Sequence, residues 1–166
     1  MRRLYLVRHA KSHWECDWLD DIERPLAERG KRDAPKMGKV LSEILSTPLN
    51  LLISSPAIRA YSTARLIAEE IGYDPADIRI EERLYEAMTR DMLSVIGEVD
   101  PAIESLMLFG HNPTMTSVAN RLTNAGIDNV PTTGVVVVDF ESSDWGSAVE
   151  SVGRLVAFEY PKKYRV

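Results

Sequence analysis

Cysteine is almost absent. The chain of 166 residues carries one, Cys16, so no internal disulfide can form and the sequence fits a reducing, cytoplasmic setting. Long apolar runs are missing as well. No uninterrupted stretch approaches the roughly 18 residues that a membrane span requires. The basic start Met1-Arg2-Arg3 is followed by an apolar segment that breaks at Arg8, too short for a secretory signal. Cations are outnumbered, 20 Lys and Arg against 25 Asp and Glu, for a formal charge of −5. That balance argues against general nucleic-acid binding, which rests on cationic neutralisation of phosphates. An anion site would have to concentrate positive charge locally. Internal repeats, low-complexity tracts and linker-like stretches are also lacking, so residues 1–166 are expected to form one domain. At this length roughly 70% of the surface exposed by the unfolded chain is buried on folding.

What is present starts with Leu4-Tyr5-Leu6-Val7, β-favouring residues that read as a buried strand, with Arg8 and His9 directly at its end. His13 to Glu23 has no clear period and reads as a loop over that strand end, a rim for any site there. Leu26, Met37, Val40, Leu41 and Ile44 mark an amphipathic helix whose start is blurred by Gly30 and Pro35 and which Pro48 closes off. Leu51-Leu52-Ile53 is a second strand. Ser54-Ser55-Pro56 then opens a helix, with Ser55 as N-cap and Pro56 in the first position, running to about Ile71 before Gly72. Ile78-Arg79-Ile80 alternates as a third strand, and Met92, Val95, Ile96 and Val99 give a short helix stopped by Pro101. Leu106 to Phe109 is a fourth strand, and the turn Gly110-His111-Asn112-Pro113 leads into a helix to Gly126. Val135 to Phe140 and Arg154 to Phe158 are a final antiparallel pair joined by a Ser- and Gly-containing connection. The alternation predicts an α/β fold: a mainly parallel sheet of about six strands with helices on both faces.

Three strand-to-helix junctions carry the chemistry. They present Arg8 with His9, then Arg59, then His111, and in a parallel sheet all three lie on one edge, where α/β proteins bind ligands. Taken singly, Arg8 could pair with a carboxylate, His9 could be an ordinary strand-end histidine, Arg59 a helix-surface cation and His111 a capping residue. Their coincidence on one edge is better explained by an oxyanion: guanidiniums and a helix N-terminus surround phosphate with donors. His9 could attack phosphorus in line while Arg8, Arg59 and His111 hold the non-bridging oxygens, with no metal or other cofactor required. Other phosphatase chemistries do not fit. Asp17 to Ile22, after Cys16, form no arginine-closed phosphate loop, no Asp-x-Asp pair follows the first strand, and no Walker-type Gly-Lys-Ser/Thr occurs. His9 and His13 have a spacing that would suit zinc on a helix, but they lack the intervening glutamate and sit at a strand end and in a loop.

Val7-Arg8-His9-Ala10-Lys11-Ser12, Glu23-Arg24-Pro25-Leu26 with Arg29-Gly30, Ser54-Ser55-Pro56 with Arg59 and Thr63-Ala64, and Gly110-His111-Asn112-Pro113 resemble the histidine phosphatase (phosphoglycerate mutase-like) superfamily. Within it, they are most similar to the SixA-type phosphohistidine phosphatases. The resemblance covers nearly the whole chain in order. It implies a three-layer α/β/α fold, His9 as the phosphorylated nucleophile, and Arg8, Arg59 and His111 as the phosphate pocket. Ala10 stands where the mutase-like branch has glycine, and SixA-like members share this alanine. In larger branches an acid after the third strand protonates the leaving oxygen; Glu86 stands at the matching place, where it could equally be a solvated glutamate at a helix start. Short connections leave no lid-sized segment, so the pocket is expected to be open. An open pocket suits a phosphohistidine-bearing signalling or phosphotransfer protein, or a small phosphate ester. A phosphate-binding module without turnover is the reading from a different class.

Overall fold

The computed structural model describes residues 1–14 and 18–165. Cys16, and with it the middle of the expected rim loop, lies outside the described residues. Strands β1 (Arg2–Arg8), β2 (Leu51–Ser54), β3 (Arg79–Ile80), β4 (Ser105–Gly110), β5 (Val135–Phe140) and β6 (Arg154–Glu159) form one sheet in the order β3-β2-β4-β1-β5-β6. Strands β1 to β4 pair in parallel, while β5 runs antiparallel to β1 and to β6.

Two helical layers sandwich this sheet because its central strands are apolar on both faces. Leu4 and Leu6 of β1 enter a core with α3 (Thr89–Gly97), α4 (Thr114–Thr123) and α5 (Trp145–Val149). Tyr5 and Val7 point the other way, into a core with α1 (Glu28–Ile44) and α2 (Ile58–Ile71). The expected mainly parallel, three-layer α/β/α architecture is the one observed, with the antiparallel pair at its end.

Several local expectations are corrected. Helix α1 starts at Glu28, upstream of both suspected breakers. Gly30 is there for close approach: a Cβ would stand 2.2 Å from the Lys11 carbonyl oxygen, so the first turn of α1 is seated against the chain just beyond β1. Pro35 lies inside the helix, whose buried face of Ala34, Met37 and Leu41 outweighs the lost backbone bond. Helix α2 begins at Ile58 with Ala57 in the cap position, two residues beyond the expected cap, although the Ser55 hydroxyl still accepts from the Ala57 N–H at 3.2 Å while meeting His111 Nε2 at 2.8 Å. Its other end is as expected, with Gly72 left-handed at φ 77°. Helix α4 stops at Thr123 with Asn124, not Gly126, as the left-handed cap. The connection between β5 and β6 holds an unforeseen helix, α5, capped by the Asp144 carboxylate on the Ser147 N–H and pinned by buried Trp145, whose indole N–H donates to the Ile103 carbonyl at 2.8 Å.

Candidate active site

The order β2-β4-β1 places three strand ends side by side. Arg8 closes β1 opposite Gly110 of β4, and the His9 N–H donates to the Gly110 carbonyl at 3.1 Å. The Ser55 N–H donates to Phe109 of the same strand, so the chain after β2 is tied to β4 as well. Arg59 sits in the first turn of α2. Thr63, one turn on, accepts from the Ala10 N–H at 2.9 Å and donates to the Arg59 carbonyl at 2.7 Å, fastening α2 to the residue after His9. A cavity of about 240 Å³ results, with Arg8, His9, Arg59 and His111 among its walls.

His9 is buried, and its Nδ1 lies 2.8 Å from the Ala10 carbonyl. A carbonyl only accepts, so Nδ1 carries the hydrogen and the lone pair is on Nε2. Burial, reinforced by the charges around it, pushes the His9 pKa down to about 3, which leaves that lone pair available at neutral pH. His111 lies beside it, with ring centroids 5.2 Å apart. Its Nε2 is 2.8 Å from the Ser55 hydroxyl, and burial followed by the Arg59 charge lowers its pKa to about 4.

Five buried side-chain polar atoms among the described residues have no hydrogen-bond partner within the protein, and four of them are here: Arg8 Nε, Arg59 Nε, His111 Nδ1 and Thr133 Oγ1. Thr133 is a β-branched residue held at φ 59°, its N–H shared between the Arg8 and His9 carbonyls. Buried donors without partners and a strained backbone are both costly, and they tend to collect at functional sites.

The loop before α1 supplies Asp21, which the sequence reading did not assign to the site, and Arg24, which it quoted only within a motif; Tyr85, after β3, joins them. Asp21 accepts from Arg59 at 3.0 Å, from Arg24 at 3.0 Å and from the Tyr85 hydroxyl at 2.6 Å. Those bonds, with Tyr85 the largest effect, hold its pKa down at about 2. Burial and the Asp21 carboxylate in turn push the Tyr85 hydroxyl up to about 12, and its ring meets His111 edge-on at 5.8 Å. Arg24, buried, also donates to the Ser12 hydroxyl and the His13 carbonyl. Trp14 and Asp21 line the cavity, so the expected rim is in place. The signal available was Asp21, three residues before Arg24 and just ahead of the quoted motif.

Glu86 stands apart. It is exposed, takes a left-handed φ of 55°, is not among the cavity's lining residues and makes no side-chain hydrogen bond. The structure thus brings together four of the five expected site residues. Among the described residues, no three His, Cys, Asp or Glu side chains gather as a metal-ligand set.

The family model for the histidine phosphatase superfamily (branch 1) matches residues 4–95. The chain belongs to the histidine phosphatase superfamily. It is 31% identical over 166 residues to an uncharacterized protein of Mycobacterium tuberculosis, covering 94% of this chain and all of that relative. Among solved structures of histidine phosphatases, one from Agrobacterium tumefaciens, described as a candidate phosphohistidine phosphatase SixA, superposes with a TM-score of 0.81. It is 29% identical and covers 96% of this chain and 98% of its own. The protein histidine phosphatase SixA complexed with tungstate shares the fold, at a TM-score of 0.78 and 15% identity, with 98% of this chain and 99% of that one covered. The likeness to the Agrobacterium structure places the protein with the SixA-type members of the superfamily. No helix among the described residues is long and apolar enough to cross a membrane.

Proposed function

We propose that the protein removes phosphoryl groups through a covalent intermediate on His9, and that its substrate is phosphohistidine carried by a signalling or phosphotransfer protein. One observation carries the reading: a neutral imidazole with its Nε2 lone pair free stands among buried donors that have no partner in the protein. A phosphoryl group in the cavity would give acceptors to Arg8, Arg59 and His111, which line it. The Nε2 pair forms the bond to phosphorus as the leaving group departs with its own electron pair. Arg8, Arg59 and His111 hold the non-bridging oxygens as charge redistributes. Water then attacks phosphorus, the pair returns to Nε2 and inorganic phosphate is released. The Nδ1 hydrogen stays on the Ala10 carbonyl throughout.

The choice of phosphohistidine is supported by the acids around the pocket. Among the described residues Asp21 is the one acidic side chain lining it, and Asp21 is ionised at neutral pH. It has no proton to give. An alkoxide needs one as it leaves, whereas imidazole departs more readily because its ring can itself be protonated near neutrality. The likeness to SixA proteins points the same way.

The test is to follow hydrolysis of a phosphohistidine-bearing phosphotransfer domain beside a panel of alkyl phosphates, with rapid acid and base quenches in parallel. Faster turnover of phosphohistidine and a base-stable, acid-labile adduct on His9 are expected. A His9→Ala variant that keeps substantial turnover would overturn the nucleophile. Preference for an alkyl phosphate would overturn the substrate.

A further inference from the structure

We propose that Trp14 determines which leaving groups the site accepts, by offering an indole face on which a flat, conjugated ring attached to the phosphoryl group stacks. The inference rests on the phosphatase reading, but not on which phosphoprotein is the substrate. Once the donors of Arg8, Arg59 and His111 hold the non-bridging oxygens, the leaving group must lie toward the mouth. Trp14 lines that cavity and is 71% exposed. One face of its ring is taken: the Arg24 guanidinium carbon sits 3.9 Å from the ring centroid. Arg24 is itself buried and fixed by the Asp21 carboxylate, the Ser12 hydroxyl and the His13 carbonyl. A cation held by three partners does not follow the ring, so the contact favours the one placement of the ring that lies over it. Most of the rest of the side chain is exposed, and among the described residues no other aromatic or cationic group pairs with the ring.

A large aromatic left in water beside a pocket recovers free energy when a second flat ring covers it. An imidazole or an aryl group presents such a ring, and the sandwich becomes guanidinium, indole, leaving group. The tetrahedral carbons of an alkyl ester match the face less well. Trp14 therefore acts on the leaving group and not on the transferring phosphorus.

The experiment compares kcat/KM for 4-nitrophenyl phosphate, free phosphohistidine and glycerol phosphate in wild type, Trp14→Ala and Trp14→Phe, with melting curves as a check on folding. In Trp14→Ala the ratio of aryl to alkyl kcat/KM should fall about tenfold, a factor typical of one aromatic pair. Phosphohistidine should follow the aryl ester, and Trp14→Phe should retain the ratio within about twofold. An unchanged ratio in Trp14→Ala, a loss shared equally by all three substrates, or no aryl turnover in wild type would overturn the proposal. A selective aryl loss in a protein that leaves phosphohistidine proteins untouched would uphold the platform and remove the phosphohistidine reading.

Discussion

His9 is kept neutral by burial, and the pH dependence of activity follows from that. An imidazole in water would charge near pH 6.5, but His9 and His111 are held down to about 3 and about 4. The active form therefore persists as pH falls through 6, and the protein's own acid limb in kcat/KM for a phosphate ester should lie near pH 4. A limb at pH 6 to 7 in excess of the one that the ester's own second ionisation at about pH 6 produces would mean that the proposed nucleophile is not shielded. Stability has the opposite sensitivity. Below the unfolded value the unfolded chain binds protons at these histidines that the folded protein does not, so stability is full above pH 6.5 and declines as pH falls toward 3. Melting temperatures from pH 7 to pH 5 should show the decline. Arg59 is doubly attached through its terminal nitrogens, which donate to the Asp21 carbonyl and carboxylate, while its buried Nε has no partner within the protein. Arg59→Ala should lower kcat by about 10²–10³-fold, the usual cost of losing a preorganised donor. A steady-state assay would read this directly.

At the level of elements, the site depends on how α1 and α2 are seated against the end of β1. Gly30 is the tightest of these contacts. Gly30→Ala would set a methyl group against the Lys11 carbonyl oxygen and should cost about 1–3 kcal/mol, as overpacking does. It should also slow catalysis, because the displaced strand end carries His9, and urea unfolding with an activity assay would separate the two losses. The strands, and the junctions bearing Arg8, His9, Arg59 and His111, were legible in the sequence because apolar runs ending in polar turns have few alternative readings. Asp21, Tyr85 and the Ser55 contact were not. Each is a polar side chain whose partner is distant in sequence, 64 residues in the Asp21–Tyr85 pair, and only the closed sheet brings them together. Ser55 was read as a helix cap because local spacing is what a sequence displays; its hydroxyl does accept from the Ala57 N–H, but its second partner, His111, lies 56 residues away and was not legible. Helix α5 was missed because its anchor, Trp145, gains its position from burial and from Ile103, not from helix propensity.

Across the whole molecule, one sheet serves two cores, so a loss on either face is felt by the entire fold. Trp145 lies on the face away from α1 and α2. Trp145→Ala should cost about 3–5 kcal/mol, the range for emptying a buried aromatic site, and unfolding should stay a single transition with an unchanged denaturant slope. Two separate transitions would mean that the layers are less coupled than the shared strands imply. Net charge also acts at this scale. The chain is acidic overall, yet Arg8, Arg24 and Arg59 are gathered at one strand edge. An anion is thus attracted at short range only, so added salt should weaken phosphate binding less than it would on a broadly basic surface.

The hydrogen bond from His9 Nδ1 to the carbonyl of its own neighbour, Ala10, also fixes regiochemistry. A histidine can be phosphorylated on either ring nitrogen, and the two products are positional isomers with distinct ³¹P chemical shifts and distinct lifetimes. With Nδ1 capped by a main-chain oxygen that no side-chain substitution removes, the proposed intermediate would carry phosphorus only on the distal nitrogen. A trapped intermediate should show that isomer alone, and under the phosphohistidine reading it should do so whichever isomer the substrate presents, so that phosphorus would pass between unlike ring positions without mixing them on the protein.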